Sequence, residues 1–60
     1  MTHRTFYVER TDRGFAIFQQ TEMGGRVYCS SQSLTWEQML WVVRMRMNHD
    51  PESIFRPTYG

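Results

Sequence analysis

Residues 36–48, WEQMLWVVRMRMN, carry more apolar surface than a helix can hide against one neighbour. At the helical period, Trp36, Leu40, Val43 and Met47 fall in one narrow sector, which Met39 and Val42 widen. This sector is expected to cover a sheet. Trp41 and Met45 are four apart, so they stack on each other, nearly opposite the first sector. Glu37, Arg44 and Asn48 form a narrow polar strip. A helix apolar on nearly all sides is buried on more than one of them. Its start is set locally. Thr35 is placed as N-cap, Gln38 completes a capping box, and Leu34 and Met39 occupy the positions of a hydrophobic staple. Pro51 disfavours helical geometry at Asp50. The helix is therefore expected over 35–48.

The residues before it alternate as strands do. In RTFYVER (4–10), Phe6 and Val8 point one way and Thr5, Tyr7 and Glu9 the other. TDRG suits a short hairpin turn. FAIFQQT (15–21) is a second strand, EMGG a second turn with a glycine pair, and RVYCSS (26–31) a third strand. The expected fold is α+β. It is a three-stranded antiparallel meander over 4–31, then one amphipathic helix, then an extended tail over 49–60. The tail has two prolines and three apolar anchors, Ile54, Phe55 and Tyr59. The whole, 1–60, reads as a single small domain.

Small chains often need a staple in the form of disulfides, a metal or a partner. There is one cysteine, Cys29, so no disulfide can form within the chain. His3 and His49 lie near opposite ends, and with one cysteine they make no zinc spacing. No cofactor is expected. A partner is the remaining staple. The strip at Trp41 and Met45, with Arg44 beside it, can be covered in three ways. Ile54 or Phe55 of the tail can fold back on it, a second copy can pack helix to helix, or a different protein can dock.

A second surface follows from strand alternation. If Phe6, Val8, Phe15, Ile17, Val27 and Cys29 face the helix, then Tyr7, Phe18 and Tyr28 face away, flanked by Arg26 and Gln20. Such a face can stack unpaired bases or dock a protein. It can also be an exposed sheet whose aromatics pair across strands. All seven basic side chains are arginine, a residue enriched at interfaces. The net charge of +1 is too weak to argue nucleic-acid binding by bulk electrostatics.

Catalytic chemistry finds little support. Cys29 sits mid-strand among apolar neighbours, as a structural thiol does. Ser30, Ser31 and Ser33 lack a nucleophile elbow. GGR at 24–26 is too short for a phosphate-cradling loop, and no helix follows it. Glu9 with Asp12 and Asp50 with Glu52 are carboxylate pairs at turns and ends. No apolar run approaches the roughly 20 residues needed to span a membrane. The N-terminal MTHRTFYVERTD has no signal-peptide core. A cytoplasmic location is expected.

The order of elements resembles two groups of small domains. FYVERTDRGFAIF as a first hairpin and SLTWEQML as the start of a helix look like the N-terminal half of HicB-type antitoxins. The same order resembles the three-strand-plus-helix domains of plant transcription factors and of phage integrase arms, whose sheet enters the DNA major groove. Here Arg4, Arg10, Arg13 and Arg26 are offset by Glu9, Asp12 and Glu22. The expected function is a small, non-enzymatic protein-interaction module. It would act by occupying a surface on another protein, as a homodimer, in the manner of phage or mobile-element proteins that inhibit or modulate host machinery. The alternatives are a nucleic-acid-binding regulator that uses the aromatic and arginine sheet face, and a structural subunit of a larger complex.

Overall fold

The computed structural model describes residues 4–59; His3 lies outside them. Five elements follow in order: β1 (Arg4–Thr11), β2 (Gly14–Gln20), β3 (Arg26–Tyr28), α1 (Trp36–His49) and β4 (Ser53–Pro57).

The β1–β2 hairpin closes on the pair Thr11 and Gly14, leaving Asp12 and Arg13 as the loop. Gly14 has φ +145°, and a Cβ there would collide with the Leu34 carbonyl oxygen. That close approach has a purpose. The amide of Phe15 donates to Leu34 O at 2.8 Å and Leu34 N donates to Phe15 O at 3.0 Å, so the segment entering α1 is tied across the start of β2. At the second turn Gly24 takes φ +84°, and Gly25 N donates to Thr21 Oγ1 at 2.9 Å.

β3 is shorter than the alternation suggests. Cys29 N still donates to Ile17 O at 2.8 Å, but Ile17 N turns to the Ser30 hydroxyl at 3.0 Å. A side chain has replaced the ladder acceptor, and the chain leaves the sheet.

The fold is α+β, with a sheet that is mixed and four-stranded, in the order β3-β2-β1-β4. The expected purely antiparallel three-stranded sheet with a trailing tail is therefore corrected. Residues 53–57 pair in parallel with β1, from Arg4 opposite Ser53 to Val8 opposite Pro57. Parallel neighbours need a crossover of a dozen or more residues, and α1 supplies it. Phe55 then stacks on Phe6 with centroids 5.0 Å apart. Both the amide and the hydroxyl of Thr58 donate to Val8 O, which anchors the end of the strand.

The core lies between sheet and helix. Phe6, Val8, Ile17 and Met39 are buried, with Phe15, Cys29, Leu34, Val42, Val43, Phe55 and Tyr59 packed around them. The helix begins as its residues dictate. Thr35 Oγ1 accepts from Gln38 N at 3.1 Å, and the Gln38 side chain accepts from Thr35 N at 3.0 Å.

Its rotation differs from expectation by about a quarter turn. Met39, Val42 and Val43 face the sheet, together with Arg46, whose guanidinium sits 5.0 Å from the Phe6 ring centroid. Trp36, Leu40 and Met47 lie on a shoulder, about half exposed. Arginine can fill a sheet-facing position because its stem is apolar and its head is attracted to an aromatic face. Val27, expected beneath the helix, is exposed because α1 packs against β2 and β4 and leaves β3 uncovered.

Candidate functional site

Two apolar surfaces lie outside the core, one on α1 and one on the far face of the sheet. On α1, Trp41 is 62% exposed and Met45 50% exposed. They border a shallow groove completed by Val42, Arg46 and His49. A second groove runs along the other side of the helix, lined by Leu40, Val43, Arg44, Met47 and Asn48. The ridge between the two points away from the sheet and carries Glu37, Arg44 and Asn48. Apolar side chains thus flank a narrow polar strip on both sides.

Among the described residues, the tail covers none of this. Phe55 lies on the helix side of the sheet, stacked on Phe6, and belongs to the core. Ile54 alternates to the far face and stays exposed. The residues grouped as one interface therefore separate. Trp41, Met45 and Arg44 stay together on α1, whereas Ile54 and Phe55 are drawn into β4 on opposite faces.

The far face of the sheet does bring Tyr7, Phe18, Tyr28 and Arg26 together. Tyr7 pairs with Phe18, and Phe18 with Tyr28, in direct cross-strand register. Ring centroids are 5.4 Å and 5.7 Å apart. The Arg26 guanidinium lies 4.5 Å above the Phe18 ring. As a result Phe18 is only 1% exposed, although no layer of structure covers it. Glu9 locks the arrangement. One of its carboxylate oxygens accepts from Arg26 and the other accepts the Tyr28 hydroxyl at 2.6 Å. The Tyr28 side chain foremost, and the charge of Glu9, raise Arg26 above the ordinary guanidinium value against its partial desolvation.

Sequence reasoning left Glu9 out of this group. The available signal is Ala16, the small residue opposite Glu9 on β2, which is fully buried. A larger side chain there would block the reach of Glu9 toward β3. On this face the central ring, Phe18, is roofed and Arg26 is paired, while Tyr28 keeps part of its ring exposed. A stacking platform needs an open ring face.

A polar cleft beside the first hairpin is lined by Thr11, Asp12, Arg13 and residues 30–33. Its hydroxyls are engaged. Thr11 Oγ1 donates to Gln32 O at 2.7 Å, Ser30 Oγ donates to Ser31 O at 3.0 Å, and the Ser31 and Ser33 hydroxyls share a bond of 3.0 Å. Cys29 is partly buried against the core. No helix of the described residues is long and apolar enough to cross a membrane. Comparison with protein-family models, with curated proteins and with solved structures finds no match.

Proposed function

We propose that this chain is a protein-interaction module whose gripping surface is the outward side of α1. The observation that carries this is the exposure of Trp41 and Met45 beside a polar strip, uncovered by sheet or tail. Contiguous apolar surface on a small domain marks an interaction site. Tryptophan and arginine, both present here, dominate binding energy where they are found at interfaces. Burying Trp41 and Met45 would contribute about 2 kcal/mol each, a large fraction of what holds so small a domain together. The interaction would act by occupying a surface rather than by transforming a substrate.

The test is site-specific photocrosslinking in cells. A photoreactive phenylalanine replaces Trp41 in one variant and Glu22, at the far turn, in another. The expected result is a discrete adduct with a polypeptide from position 41 and none from position 22. Position 41 giving no polypeptide adduct, or giving adducts with nucleic acid, overturns the reading.

A further inference from the structure

The strip on α1 has a charge pattern of its own. Glu37 and Arg44 are seven residues apart, two helical turns, so they share one side of the helix about 10 Å from each other. That side points away from the sheet, with Leu40 on one flank and Trp41 on the other. Both residues are exposed, and the ion pairs among the described residues, Arg4 with Asp50 and Arg26 with Glu9, involve neither.

We infer that the surface is covered by a second copy of this chain, α1 against α1, antiparallel about a two-fold axis that passes between Leu40 and Trp41; this rests on the interaction reading above. In that register each Glu37 is level with Arg44 of the second copy, so two ion pairs form. Side chains on the same flank meet across such an axis. Trp41 therefore stacks beside its own counterpart, and Leu40 beside its own.

Charge selects this arrangement over its neighbours. Parallel helices would set Glu37 against Glu37 and Arg44 against Arg44. An antiparallel pair centred on Val43, which would put Trp41 on Met45, brings the two Arg44 side chains within one turn of each other. Like charges facing across an interface oppose association. The sheet lies on the opposite side of α1 and leaves the approach free, so the dimer is layered sheet, helix, helix, sheet.

The area suits a dimer. Trp36, Leu40, Trp41, Met45 and Met47 each keep about half of their surface exposed. Together they offer on the order of 500 Å² of apolar area per copy, which with a polar rim approaches the ~800 Å² per partner of a standard interface. Closed two-fold pairs are also the commonest assembly of soluble chains.

Sedimentation equilibrium at low salt tests the inference, with far-UV circular dichroism to check that each variant keeps its helix. The parent is expected to associate to twice the chain mass. E37R and R44E should each weaken association about tenfold or more, and the E37R/R44E double variant should restore it, because the pairs re-form with signs exchanged. A parent that is monomeric at high micromolar concentration overturns the inference. So does a dimer that neither single exchange weakens, or one that the double exchange fails to restore. A monomeric parent leaves the interaction reading standing or falling on the crosslink at position 41. A dimer with the predicted charge dependence identifies the polypeptide that the crosslink captures.

Discussion

The two apolar surfaces outside the core respond differently to the same problem. On the far face of the sheet, Phe18 has no layer above it and is nevertheless buried. On the outward side of α1, Trp41 and Met45 remain open. The difference is geometric. Side chains on neighbouring strands rise side by side, with Cβ atoms about 5 Å apart, so rings and long polar chains can lean over one another. Tyr7, Tyr28 and Arg26 do so over Phe18, and Glu9 ties two of them down. Side chains on a helix diverge from its axis, so those on its outward side touch only residues three or four positions away along the same helix and leave their tips open. A sheet face can close itself, whereas a helix face needs another body.

This contrast can be broken by experiment. The largest effect is expected from Phe18→Ala. Removing a fully buried ring should cost about 3–5 kcal/mol, enough to unfold much of the population of so small a domain. Chemical denaturation followed by tryptophan fluorescence measures it. A loss below about 1 kcal/mol would mean the roof is open and the two surfaces are alike.

Tyr28→Phe keeps the ring and removes the hydroxyl that Glu9 accepts. It should lower stability by about 1 kcal/mol, the net contribution of an ordinary hydrogen bond, because this one is exposed to solvent. An unchanged midpoint would show that ring stacking alone holds the roof.

Thr35→Ala sharpens the comparison from the other side. It removes the acceptor for Gln38 N and should also cost about 1 kcal/mol. A thermal melt at fixed concentration checks that α1 is anchored by its own cap, independently of whatever covers its outward side.

The smallest effect is expected from Trp41→Ser. In dilute monomer the change should stay within about 0.5 kcal/mol, as for an exposed position. A loss of 2 kcal/mol or more in dilute solution would mean that the chain covers Trp41 itself, and the contrast between the surfaces would disappear.

Several of these features are legible in the residues because they are local. The helix start depends on Thr35 and Gln38, three positions apart. The first hairpin depends on TDRG and on alternation within seven or eight residues. The alternation also places Tyr7, Phe18 and Tyr28 on one face, because in a strand neighbouring side chains point to opposite sides.

Other features needed the tertiary structure. SIFRP is short, ends on a proline and pairs with a strand some 50 positions earlier, so nothing near it in sequence announces a parallel β4. Once it pairs, strand alternation sends Ile54 and Phe55 to opposite faces, which separates two residues that look like one anchor.

The rotation of α1 was open for a related reason. With apolar residues on nearly every side, periodicity defines no single inward direction. The choice fell to how closely each side chain lets the helix approach the sheet. Met39, Val42 and Val43 fit against β2 and β4, and Arg46 could lay its head on Phe6. Sequence by itself determined where this helix begins and that it carries surplus apolar surface. Packing against a sheet completed by its last strand decided which part of that surface was left over, because burial is shared among residues that only the folded chain brings together.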